Sequence, residues 1–186
     1  MRAYPVALVL SAAAVLAACS SGEQNAAAPA SSPAKSPAAS APSGAKKPAD
    51  PCGLLPADDV SKAINIPGIT TKPGPAHDDP KNGGKAVSCE YVVQGKTAGA
   101  LAVTRYEGRE AKPADMVAAI KKVKPGAIDV PGFADGAVYY VDEQKTATLA
   151  AAKLSGGVPV LVNYTGPVKM TKEMMTPLVH TAVSRA

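Results

Sequence analysis

The chain has 186 residues, 46% of them hydrophobic but only 4% aromatic, with no Trp and a formal net charge of +5. Arg2, Lys35, Lys46 and Lys47 carry part of that surplus and no basic block occurs, so no nucleic-acid partner is implied. The segment with the composition of a folded domain, 51–186, is enough for one core. It leaves no room for the two lobes of a receptor that closes on a solute.

Met1 and Arg2 precede an apolar run over 6–18 made mostly of Ala, Val and Leu, the order of a secretory signal. A membrane-spanning helix needs ~20 apolar residues, and this run is shorter. Its end, Leu16-Ala17-Ala18-Cys19, resembles the lipobox of bacterial lipoproteins. That resemblance implies that 1–18 is a lipoprotein signal peptide and that Cys19 is the first mature residue, with a diacylglycerol on its sulfur. The protein is then expected on the outer face of the cytoplasmic membrane, held by a lipid anchor that several acyl chains make stable. From Cys19 to Asp50 the chain is almost wholly Ala, Pro, Ser, Gly and Lys. No large apolar residue offsets the entropy of ordering it, so 19–50 reads as the lipidated cysteine followed by a disordered tether.

With Cys19 assigned to lipid, Cys52 and Cys89 remain as a pair in an oxidising compartment, and a disulfide is the expected reading. Two free thiols or a metal pair are the alternative, although no His or third Cys has ligand spacing to them.

Within 51–186 the first helix is expected over Pro56-Ala57-Asp58-Asp59-Val60-Ser61-Lys62-Ala63-Ile64, with Pro56 at the first helical position and two acids near the positive end of the dipole. Residues 69–85, crowded with Pro, Gly, Asp and Asn, read as a long loop. Val87, Cys89, Tyr91 and Val93 alternate with polar residues as a half-buried strand does, turning Cys89 inward. Gln94-Gly95-Lys96-Thr97 is a turn to a second strand over 100–106. Pro113 opens a helix with the apolar stripe Met116, Val117, Ile120 and Val123. After an extended piece at 128–130, the loop 131–136 leads to a three-strand meander at 137–141, 146–154 and 158–164. Pro159 cannot donate to a ladder, which favours an edge position or the start of a strand. The last helix begins either at Thr171, with a kink at Pro177, or at Thr176. The order αββαβββα predicts an α+β fold, a two-layer sandwich of one antiparallel sheet of about five strands with helices mainly on one face.

Asp50-Pro51-Cys52-Gly53-Leu54-Leu55, Cys89-Glu90-Tyr91 on a strand and Pro131-Gly132-Phe133-Ala134-Asp135-Gly136-Ala137 before the meander resemble an actinobacterial lipoprotein family of unknown function that opens with Asp-Pro-Cys. That family usually has Cys-x-Trp where this chain has Cys89-Glu90-Tyr91. The resemblance implies a Cys52–Cys89 disulfide and an envelope location, and it carries over no catalytic residue.

No enzymatic pattern survives its context. Ser32-Pro33-Ala34-Lys35 and Ser43-Gly44-Ala45-Lys46 have Ser-x-x-Lys spacing but sit in the tether, without a Lys-Thr-Gly partner. Gly95-Lys96-Thr97 lies in a hairpin turn and not between strand and helix. His77-Asp78-Asp79 is the one stretch with metal-compatible atoms, and adjacent ligands in a loop make a poor cage, so no metal and no cofactor is expected. His180 falls near the C-terminal end of the last helix, where its charge suits the dipole. Tyr139 and Tyr140 must face opposite sides of the sheet, so one of them is expected on the side without helices. With Phe133 in the neighbouring loop, they are the candidate binding surface. The expected function is that of a non-enzymatic, lipid-anchored envelope module for binding, sensing or protein interaction. A carrier or receptor for a small lipophilic molecule is the alternative, and a cell-wall-acting enzyme of unfamiliar type is the third reading.

Overall fold

The computed structural model describes residues 50–133 and 135–186. The proposed signal peptide, Cys19 and all but the last residue of the tether lie outside them. Helix α1 (Pro51–Leu54) is a single turn opened by Asp50, whose carboxylate accepts from the Cys52 N–H at 3.1 Å. Helix α2 (Ala57–Ile64) carries Asp58 and Asp59 in its first turn and ends where Asn65 enters the left-handed region, at φ 53°. Then come β1 (Thr70–Pro73), β2 (His77–Asp79), β3 (Gly84–Val93) and β4 (Lys96–Tyr106). Helix α3 (Pro113–Val123) leads to β5 (Ile128–Asp129) and the meander β6 (Ala137–Val141), β7 (Thr146–Ser155) and β8 (Val158–Pro167). Helix α4 (Lys172–Arg185) closes the domain.

The strands form one eight-stranded antiparallel sheet in the order β1-β3-β4-β8-β7-β6-β5, with β2 paired to β3. The expected strand count of about five is therefore corrected upward. The region read as a loop holds β1 and β2, which pair along β3 through Thr70↔Val92 and His77↔Ala86. Their short, exposed sequences carry no alternation to read. Pro159 does not put β8 at an edge: the strand lies between β4 and β7, and Pro159 sits at its second residue, ahead of the first pair with β4, Val160↔Arg105. There the missing N–H removes no bond of the β4 ladder.

Gln94 and Gly95, both at positive φ, make the tight turn between β3 and β4. The register then shifts, so that Tyr91 faces Gly99 and Val92 faces Thr97. That bulge places Tyr91 beside Tyr164 of β8, ring centroids 5.7 Å apart. The Tyr91 hydroxyl donates to the Leu55 carbonyl at 2.6 Å. Cys52 and Cys89 are disulfide-bonded, Cα to Cα 5.1 Å, and close a 37-residue span that contains α2, β1 and β2. The chain-entropy estimate for a loop of that length is about 4 kcal/mol.

Alternation along the strands separates two faces. Leu101, Val103, Leu149, Ala151, Val160, Val162 and Tyr164 point to α1, α2 and α4 and form the main core with Leu55, Val60, Met175, Leu178 and Val179. Val138, Ala150 and Ala152 point the other way, and α3 covers them with Val117, Met116 and Ile120. Three helices share one face, as the element order suggests, but α3 does not. The half of the sheet built from β6, β7 and β8 is therefore three layers deep rather than two. Val123, expected on the apolar stripe of α3, is 69% exposed beyond the end of the covered patch.

Candidate functional site

An open cleft of about 660 Å³ lies between α4 and the loop that follows β5. The loop is fixed at its base where the Val130 N–H donates to the Ala137 carbonyl at 2.9 Å, and it carries Pro131, Gly132 and Phe133 along one wall. The other wall is α4, which begins at Thr171, whose hydroxyl accepts from the Met174 N–H at 3.4 Å. Lys172, Thr176 and His180, and beside them Glu173, Pro177 and Thr181, recur every four residues and so share the helix face that meets the loop.

Pro177 lies inside α4. It has no N–H, so the carbonyl of Glu173 four residues earlier loses its usual helical donor. The turn holds because the Thr176 hydroxyl donates to the Lys172 carbonyl at 2.7 Å. The Glu173 carboxyl is held below the usual carboxylate range by its own backbone N–H and then by the Thr171 hydroxyl. Its contact with Lys172, 3.6 Å between a half-exposed ammonium and an exposed carboxylate, adds little. Across the cleft the Phe133 ring meets the His180 imidazole, centroids 5.8 Å apart and planes tilted by 56°. The resulting surface has an apolar floor from Phe133, Pro131 and Pro177. At its edge stand the Lys172 ammonium, the Glu173 carboxylate and the His180 imidazole, which can donate or accept.

The three residues of the candidate binding surface do not form one surface. Phe133 and Tyr139 lie on the α4 face, where the Tyr139 hydroxyl donates to the Met170 carbonyl at 3.1 Å just before α4 begins. Burial, and after it the Glu173 carboxylate, raises the Tyr139 pKa above its ordinary value. Tyr140 lies on the opposite face, with the Lys124 ammonium 5.3 Å from the centre of its ring at the end of α3. The expectation of an uncovered face around one tyrosine thus gives way to α3, which reaches both β6 and Tyr140. His180, whose charge is expected to suit the C-terminal end of its helix, also turns its ring to the cleft. The α4 stripe was legible as a spacing of four, but Pro177 left the start of the helix open between Thr171 and Thr176 and concealed it.

His77 and Asp78 are exposed on β2 at the edge of the sheet. Among the described residues, no group of three or more His, Cys, Asp or Glu side chains is placed to hold a metal ion. No helix among them is long and apolar enough to cross a membrane.

Residues 14–158 match a family described as protein of unknown function, DUF3558. That span takes in the disulfide, the hairpin and the Phe133 loop but stops short of α4. No curated protein and no solved structure matches significantly.

Proposed function

For a chain that belongs to the DUF3558 family, itself without an assigned function, we propose a non-enzymatic envelope lipoprotein whose domain binds a protein partner through the α4 cleft. The single observation that carries this reading is the facing of Phe133 and His180 across an open cleft whose helical wall carries Lys172, Glu173 and Pro177. An apolar floor flanked by Lys172 and Glu173 suits an extended polypeptide strip that places an apolar side chain over Phe133 and a backbone N–H near the Glu173 carboxylate. Lipid attachment at Cys19 would hold the domain at the outer face of the cytoplasmic membrane, and the tether over 20–50 would let it reach partners there.

A photo-crosslinking amino acid at Thr181, introduced in cells, tests the partner reading. One reproducible protein adduct is expected, and it should disappear when Phe133→Ala is added. An adduct indifferent to Phe133→Ala, or none, overturns the cleft assignment. Cys19→Ala should move the protein from the membrane to the soluble fraction, and retention in the membrane would sink the anchor.

A carrier for a small lipophilic molecule is the second reading. It is favoured by an apolar pocket of about 380 Å³ beside the start of α4, separate from the cleft.

A further inference from the structure

The apolar pocket lies where three connections converge at one end of the sheet. Ile64 and Ile66 close it from the end of α2, Val93 and Ala98 from the β3–β4 hairpin, and Met170 and Met174 from the start of α4. Lys169 stands at its side, and no acidic residue lines it. Methionine is unbranched and has three rotatable side-chain bonds, so a wall built from two of them can reshape around a guest.

Beside this pocket is a buried polar group with nothing to bond. Tyr164 is fully buried, and its hydroxyl has no hydrogen-bond partner, whereas Tyr91 in the same aromatic pair donates to Leu55. The Tyr164 hydroxyl lies over Gly99, where a Cβ would collide with it, and Gly99 adjoins Ala98 of the pocket wall. The edge of the Tyr164 ring and the Met170 sulfur both cover Gly166, so the thioether packs beside the phenol. A shift of the Met170 side chain would therefore extend the pocket toward the hydroxyl. Buried polar groups in folded proteins are almost always paired, and one left unpaired beside an apolar cavity asks for a partner.

We propose that this pocket binds a small lipophilic molecule with a neutral carbonyl at its leading end, an ester or ketone, and that the carbonyl accepts the hydrogen bond for which Tyr164 has no partner. A neutral acceptor is required because no cation lies at the inner end, and a carboxylate taken there would lose its hydration without compensation. The hydrocarbon remainder lies against Ile64, Val93 and the two methionines. This inference rests on the carrier reading and not on the α4 cleft, so the two fail separately.

The test uses the full chain carrying Cys19→Ala, so that no attached acyl chain competes, and titrates methyl decanoate, undecane and decanoate by calorimetry. Methyl decanoate should bind more tightly than either of the others. Tyr164→Phe should weaken the ester by about 5- to 10-fold, the size of one hydrogen bond of ~1–1.4 kcal/mol, and leave undecane unchanged. The infrared stretch of a 13C-labelled ester carbonyl should fall on binding to the parent chain and stay put on the phenylalanine variant. Ala98→Leu, which fills the wall, should abolish binding, and Ile66→Trp at the exposed rim serves if the leucine variant does not fold. Equal affinity for the ester in the parent and Tyr164→Phe chains, or tighter binding of decanoate, overturns the proposal. So does ester binding that survives both blocking variants.

Discussion

The two faces of the sheet are built to different depths. Toward α1, α2 and α4 the strands present Leu101, Leu149, Val160, Val162 and the paired Tyr91 and Tyr164, all fully buried. Toward α3 the buried sheet residues are Val138, Thr148, Ala150 and Ala152, and Val117 is the deepest residue the helix brings. Because apolar stabilisation scales with area removed from water, at about 25 cal/mol per Å², the first face must hold most of the stability. The α3 face adds cover without much volume. The cleft and the apolar pocket both lie along α4, while a further apolar concavity of about 390 Å³ lies beside α3.

That contrast can be broken by measurement. Replacing Cys52 and Cys89 together by Ser should cost about 4 kcal/mol, since the bond closes a long loop and ties α1 to β3 on the deep face. Urea unfolding with and without reductant reads the same quantity. Leu149→Ala, on that face and fully buried, should cost about 3 kcal/mol from lost burial and the cavity left behind. A cost below about 1 kcal/mol would mean that this core relaxes easily and that the faces are more alike than their packing suggests.

High pH offers an intermediate test. Burial raises the pKa of Tyr164 far above that of a free phenol, and burial, followed by Tyr164, does the same to Tyr91. The unfolded chain releases these protons near pH 10 while the folded one keeps them. The unfolded state then binds fewer protons, so stability is intact below pH 10 and falls above it, by about 1.4 kcal/mol per pH unit for each tyrosine. Tyr164→Phe should remove about half of the tyrosine contribution to that slope, and an unchanged slope would show that water already reaches the phenol. The smallest effect is expected on the shallow face, where Val117→Ala should cost about 1 kcal/mol. If it matches Leu149→Ala, α3 is as much a part of the core as α4.

Much of the domain was legible in its residues because the signals are local. Alternation around Cys89 and Tyr91, the Gln94-Gly95 turn, Pro113 as helix opener and the meander turns all act within a few residues, and the elements they predict are present. The strands β1 and β2 were not legible, because each exists only by pairing with β3 across a Pro- and Gly-rich stretch. The start of α4 was ambiguous at the level of sequence, since Thr171 and Thr176 are both acceptable caps. Packing of Met175, Leu178 and Val179 against β7 and β8 outweighs the loss of one hydrogen bond at Pro177, so the longer helix forms.

By itself the sequence determined the α+β class and the alternation that separates two sheet faces, which follow from composition and periodicity and need no knowledge of distant neighbours. The Cys52–Cys89 bond was an expectation that hung on assigning Cys19 to lipid, and the fold shows it. Only the tertiary structure decided that β8 lies at the centre of the sheet and that α3 and α4 take opposite faces. It also brought Phe133 to His180 and left Tyr164 without a partner beside an apolar pocket. Each of those is a contact between residues far apart in the chain, and their side chains meet only after the sheet has chosen its strand order.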